Sequence, residues 1–417
     1  MGRLTATEFQ QAGGVEDWRV LSGGASAWFD ASSHTAGSAL VGRIVELTDG
    51  ASLPAMDLRA GGVRVQLGAA GPADLSHTDA TLARAVSAAA ADLGLTADPA
   101  ALQTVSFGFD AADTSSVMSF WKTALDYQPG GADVLTDPLR RGPEIFFRGL
   151  DDPRPLRNRI HLDVVRVPEV VQSVLAVVGS QPYGAYGLTL VDAEGNEVDV
   201  VPGEDLAEGP ATADWRVVFS AMAFYPTVSA AQAARLAAIV AALADEVGTP
   251  LLVDVRPDGV TIDSGKDQSD DELNPSQTPF TQLATRIQAA AHELGLAADT
   301  TRLRFIQVGI DAVDVAAVQA FWATGLGYQH DQRTHVTDIY DPRRLNPEII
   351  FQDLDAAEQD RRRQRNRIHL NLQVPDDHGK ARIAAAVAAG GRVLTDVPGR
   401  CTLADPEGNE LNIVTNA

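Results

Sequence analysis

Cysteine occurs once in 417 residues, at Cys401. One cysteine excludes an intrachain disulfide and any cysteine-rich zinc site. Basic side chains are scarce, 33 Lys and Arg against 56 Asp and Glu, for a formal net charge of -23. A nucleic-acid partner needs a basic surface facing the phosphates, so the charge argues against that class and for a soluble acidic chain. No run of 18 apolar residues occurs, and no helical membrane span is expected. The start, Met1-Gly-Arg-Leu-Thr5, lacks the apolar segment of a secretory leader. A cytoplasmic location is the expectation. Glycine-rich nucleotide fingerprints, a serine elbow and paired-cysteine motifs are also missing. What remains is a globular composition, 45% hydrophobic and 21% charged, with length for several cores.

The feature that organises the chain is a repeat of about 200 residues. Asn158-Arg-Ile-His-Leu162 returns as Asn366-Arg-Ile-His-Leu370. Asp192-Ala-Glu-Gly-Asn-Glu197 returns as Asp405-Pro-Glu-Gly-Asn-Glu410, and Phe120-Trp121 returns as Phe321-Trp322. Nearer the start, Asp17-Trp18-Arg-Val20 returns as Asp214-Trp215-Arg-Val217. Function must therefore be sought in both copies together.

Each copy divides into two unlike halves. The first half of copy one predicts an extended segment over 18–29, a helix over 38–47, a hairpin of 56–59 with 63–67, and a long Ala-rich helix over 78–93. Asp74 and Ser76 are its candidate caps, and Gly94 its terminator. Residues 212–298 repeat this order, with an acidic tract over 267–272 as a solvated loop. The second half predicts a strand over 103–109, a helix over 115–125 capped by Asp113 or Thr114, and a strand over 144–148. A second round follows: strand 160–167, helix 170–178, and strands 186–191 and 196–201. Residues 301–416 repeat it. Helical crossovers followed by short strands indicate an α+β class with mixed sheets.

The second halves resemble the vicinal oxygen chelate superfamily, in its glyoxalase-like (bleomycin-resistance-like) branch. The resemblance is carried by the Phe-Trp helix, the Asn-Arg-Ile-His-Leu strand and the closing turn, twice in the same order. It implies paired βαβββ modules curled into a cup, which in many members holds a divalent ion on His and Glu side chains. The first halves resemble pterin-4a-carbinolamine dehydratase in the order of their elements, with Trp18 and Trp215 leading. Where that family has His-His-Pro, this chain has Ser52-Leu53-Pro54 and Gly248-Thr249-Pro250. The implied organisation is A-B-A-B: dehydratase-like 1–98, glyoxalase-like 99–205, dehydratase-like 206–298 and glyoxalase-like 299–417. Like domains are expected to pair within the chain or between two chains.

Mapping the cup positions within each copy places Thr104, His161 and Asp199 together in copy one, with Glu144 near the fourth position. Copy two gives Phe305, His369 and Asn412, with Glu348 near the fourth. So few ligands lead to the expectation of no metal and no other cofactor. His161 and His369 are the candidate acid/base or hydrogen-bonding residues, because histidine titrates near neutral pH. Glu144, Asp199, Arg159, Glu348, Arg367 and Asn412 are the candidate ligand-binding residues. The arginines of Asp137-Pro-Leu-Arg-Arg141, Asp341-Pro-Arg-Arg344, Arg157, Arg365 and 361–363 suit either an anionic ligand or the surplus carboxylates. Trp121 and Trp322 are expected in the core, Gly195 and Gly408 in tight turns, and His77, whose nearest counterpart is Gln277, at a surface or cap. The leading expectation is a metal-free small-molecule binder. The alternatives are a metal-independent lyase or isomerase using His161 or His369, and a 4a-hydroxytetrahydrobiopterin dehydratase, which the missing histidines disfavour.

Overall fold

The computed structural model describes residues 2–21, 24–48, 53–68, 75–269, 279–333 and 336–415. Ser52, Asp74, Gln277 and residues 270–272 of the acidic tract lie outside the described residues. The chain forms two compact units, and each takes one half from both copies: Met1–Leu102 with Gly203–Arg304, and Gln103–Pro202 with Phe305–Ala417. The class is α+β. Among the described residues no helix is long and apolar enough to cross a membrane.

The first unit is a ten-stranded sheet carrying helices His34–Thr48, His77–Asp92, Ala230–Val247 and Phe280–Glu293. Ser76 caps the second of these, in a capping box with Asp79, and Gly94 follows its end at a φ of +73°. Trp18 and Trp215 are fully buried, their indole N–H groups donating to Ser87 Oγ and the Ala284 carbonyl. The copies join where strand Ala55–Arg59 pairs antiparallel with Leu252–Arg256. That register sets Asp57 directly opposite Asp254, a like-charge pair that would repel. Arginines resolve it across the join: Arg256 Nη2 lies 2.6 Å from Asp57, and Arg59 Nη1 lies 2.8 Å from Asp254. Arg64, beside Asp57 on the next strand, adds a third contact at 2.6 Å.

The second unit holds two sheets, and neither belongs to one copy. The eight-stranded sheet runs Arg392–Val397, Arg400–Ala404, Glu410–Val414, Ile368–Gln373, Thr104–Ala111, Ile145–Gly149, Val134–Thr136, Gln128–Gly131. The seven-stranded sheet runs Thr189–Val191, Glu197–Pro202, Ile160–Arg166, Arg304–Ala312, Glu348–Asp353, Ile339–Tyr340, Gln329–His330. Each sheet therefore joins the opening module of one copy to the closing module of the other. The opening module of copy one is βαβββ, with two strands, Gln128–Gly131 and Val134–Thr136, that the sequence pattern does not predict. Pro129-Gly-Gly131 masks them, and the first of the two is wholly exposed, so no apolar alternation marks it.

Candidate functional site

The repeated motifs turn out to be the lock that makes this exchange. Asn366 Oδ1 accepts the Arg159 backbone N–H at 3.0 Å, and Asn158 Oδ1 accepts that of Arg367 at 2.8 Å. Each asparagine then donates to the asparagine of its own closing turn, Asn158 to Asn196 at 2.6 Å and Asn366 to Asn409 at 2.7 Å. Those same turn asparagines accept from the opposite copy, from Arg367 Nε at 2.9 Å and Arg159 Nε at 3.0 Å. The turn aspartates complete the lock. Asp192 accepts the Trp121 indole N–H at 2.9 Å, and Asp405 accepts that of Trp322 at 3.0 Å. Gly195 and Gly408 sit at φ of +84° and +91°, where a side chain is strained. Trp121 and Trp322 are fully buried.

Arg159 and Arg367 are placed accordingly. Both are 1% exposed, and both spend further donors on carbonyls, Arg159 on those of Arg361, Arg362 and Gln364, Arg367 on that of Leu156. Burial pushes both guanidinium pKa values below the ordinary arginine range. Replacing Asn366 with Ala removes two buried bonds and strands the Arg159 N–H. The expected loss is about 2–3 kcal/mol in urea unfolding followed by tryptophan fluorescence; a loss below about 0.5 kcal/mol would show that the lock is decorative.

The strand exchange corrects the ligand mapping. Thr104 does not share a sheet with His161, because its strand pairs with Ile368–Gln373 and sets Gly108 beside His369. Ser106, the register partner of Asn371, and Gln307, which bonds Asp163, are the first-strand polar residues beside these positions, two residues on from Thr104 and Phe305. Two glycines make room for the rings: a Cβ at Gly108 would overlap the His369 imidazole, and one at Gly309 that of His161. A glycine inside a strand marks such a close approach, and this was the signal in Phe107-Gly108-Phe109 and Val308-Gly309-Ile310.

Side chains alternate along a strand, so His161 and Asp163 share a face. Asp199 is the register partner of Asp163 on the next strand. Ligating atoms of His161, Asp163 and Asp199 all lie within 4.8 Å of one another. Gln307 reaches in from the other copy, its Nε2 donating to Asp163 Oδ2 at 2.6 Å. Its Oε1 is buried with no hydrogen-bond partner among the described residues. Around this acidic floor stand Glu197, held by Arg157 at 2.7 Å, and Asp311, paired with Arg361.

The eight-stranded sheet has the same plan around its histidine and different chemistry. His369 is 6% exposed, and Asn371 and Asn412 occupy the positions of Asp163 and Asp199. Thr402 Oγ1 donates to Asn412 Oδ1 at 2.6 Å, and Asn412 Nδ2 to Asn371 Oδ1 at 2.8 Å. Asn371 Nδ2 reaches Ser106 Oγ at 3.4 Å. Burial holds the His369 pKa down at about 4, more than Asp110 and Glu410 raise it, so the ring is neutral at pH 7. Glu144 precedes strand Ile145–Gly149 of this sheet, and burial raises its pKa. Glu348 opens the matching strand of the seven-stranded sheet as the register partner of Gln307, and Arg344 pairs with it. That arginine also stacks on Tyr340, its guanidinium carbon 3.7 Å from the ring centroid.

The glyoxalase-like domain family matches the sequence twice, over residues 106–201 and 307–414. No curated protein matches it. A glyoxalase I variant from Zea mays is similar at 10% identity, covering 76% of this chain and 95% of that one, with a TM-score of 0.36. A glyoxalase-related enzyme from Fulvimarina pelagi is similar at 21% identity over 26% of this chain and 86% of that one, with a TM-score of 0.20. A glyoxalase/bleomycin resistance protein/dioxygenase family enzyme from Burkholderia phytofirmans is similar at 20% identity over 26% and 95%, with a TM-score of 0.20.

Proposed function

We propose that this chain is a glyoxalase-like protein, as the family match over residues 106–201 and 307–414 supports, and that it binds a small organic molecule in its cups, with a divalent cation in the cup floored by His161, Asp163 and Asp199. The carrying observation is the convergence of those three side chains, with ligating atoms within 4.8 Å of one another. The fit extends to Gln307, whose Oε1 is a buried acceptor with no partner among the described residues and is suited to a cation. One imidazole, two carboxylates and a carboxamide form a nitrogen–oxygen donor set of the kind that first-row divalent ions take. A cation held there would act as a Lewis acid toward an oxygen of the bound molecule. The protein's own share is to fix the donors: Gln307 orients Asp163, and Gly309 lets the His161 ring lie against the neighbouring strand.

This reading replaces the metal-free expectation for the first cup and keeps it for the second. There Asn371 and Asn412 carry no charge to attract a cation. His369 serves that cup as a neutral hydrogen-bonding group, because an acid/base catalyst works best with a pKa near the working pH. For the first unit we propose a dehydratase-like scaffold without the dehydratase chemistry. Support comes from the repeated order of its elements, and from Gly248-Thr249-Pro250, which offers no titratable group at the motif.

Calorimetric titration of the metal-free chain with Mn²⁺ tests the cation site. Asp163→Asn is expected to weaken binding by about 10–100-fold, and Asn371→Ala to leave it unchanged. Equal affinity in the wild type and Asp163→Asn would sink the proposal.

A further inference from the structure

The floor is not the only place where the cups differ. On the second cup's sheet, Arg148 is the register partner of Asp110, on the face shared by Ser106 and Gly108. Arg400 stands two residues before Thr402, whose hydroxyl bonds Asn412, so Arg400 faces the same cup. The corresponding positions of the first cup are Gln352, register partner of Asp311, and Gly187. Between the cups, two floor carboxylates become amides and two neutral rim positions become arginines.

The carboxylates of the second cup are already engaged. Asp110 accepts from Arg154 at 3.0 Å, and Glu410 is gripped by both nitrogens of the Arg365 fork. Among the described residues neither Arg148 nor Arg400 has an ion-pair partner. Burial, and then the nearby guanidinium of Arg148, lower the Arg400 pKa from its ordinary value. The two cations thus stand together over a floor of neutral amides, hydroxyls and a neutral imidazole. In a chain of net charge -23, guanidinium groups with carboxylates in abundance elsewhere are the unusual feature.

We propose that the second cup is an oxyanion pocket, in which Arg148 and Arg400 clamp a carboxylate or phosphate group of a small organic molecule while Asn371, Asn412 and His369 bind its neutral polar part. The proposal rests on the small-molecule reading of the cups and is independent of the cation in the first. Guanidinium forks match the planar geometry of carboxylate and phosphate oxygens. The amides offer both donors and acceptors, so they tolerate hydroxyl and carbonyl groups alike. Without a cation, the first cup, with two carboxylates on its floor, repels the same anion.

The test is calorimetric titration of the whole chain in metal-free buffer with benzoate, citrate and inorganic phosphate in turn. At least one probe is expected to bind. Arg148→Gln and Arg400→Gln are each expected to weaken that probe by about tenfold or more, with weaker binding as salt rises. Preference for benzoate or citrate assigns a carboxylate, and preference for phosphate assigns a phosphate. Circular dichroism spectra that match wild type confirm that the variants fold. The proposal is overturned if none of the three probes binds, or if both folded variants bind the probe as wild type does. Because no metal is present, failure here leaves the first-cup cation site standing, and loss of Mn²⁺ binding leaves this pocket standing.

Discussion

Asp57→Ala lowers the stability of the unit built from residues 1–102 and 203–304 by about 3–5 kcal/mol. The carboxylate is 1% exposed and holds Arg256 and Arg64, each at 2.6 Å. Burial alone would raise its pKa, but Arg256 and then Arg64 overcome that and keep it below the ordinary value. Removing it leaves Arg256, itself buried, without this counter-charge at the join between the two copies. Breaking a buried pair from one side is costly because the remaining charge stays desolvated. Chemical denaturation read by tryptophan fluorescence would report the loss, since Trp18, Trp28 and Trp215 lie in this unit. A change below about 1 kcal/mol would mean that the Asp57–Arg256 contact carries little of the join.

The second large effect is a pH dependence centred on His369. Its folded pKa, about 4, lies below the ordinary 6.5. Between those values the unfolded chain binds a proton that the folded chain refuses, so stability present above pH 6.5 is lost as pH falls toward 4. A shift of this size is worth about 3 kcal/mol. The cause is burial of the ring against Gly108. Asp110 and Glu410, which face it, favour the charged form, while Arg148 and Arg400 oppose it. His369→Gln should remove this contribution, so its urea midpoint should fall less than that of wild type between pH 7 and pH 4.5. Parallel curves for the two proteins would contradict the assignment.

The duplication, the α+β class and most helices were legible in the sequence because they rest on local signals. Asp113 and Ser76 cap the helices the pattern predicts, and the buried tryptophans repeat at the expected places. The exchange of modules between copies was not legible. Thr104–Ala111 is an equally good apolar strand whichever histidine strand it pairs with, and only the three-dimensional lock of Asn158, Arg159 and their counterparts decides it. The candidate site suffered for that reason. His161 stands with Asp199, and His369 with Asn412, on a shared sheet face, but Thr104 and Phe305 were two residues out of step, and Asp163, Gln307, Ser106 and Asn371 were missed. Each of the four stands two residues from a strand histidine or glycine, so alternation pointed to them once the glycines were understood. Arg159 and Arg367, candidate ligand-binding residues by sequence, are committed to the lock instead, whereas Arg148 and Arg400 carry no motif at all.

In the proposed function, two cups of one plan carry different chemistry. The most direct measurement is the metal content of the wild-type chain by plasma mass spectrometry, after equilibration with excess Mn²⁺ and removal of free ion. One ion per chain, falling to none in Asp163→Asn/Asp199→Asn, is the predicted result. Two ions per chain, or none in the wild type, would contradict it.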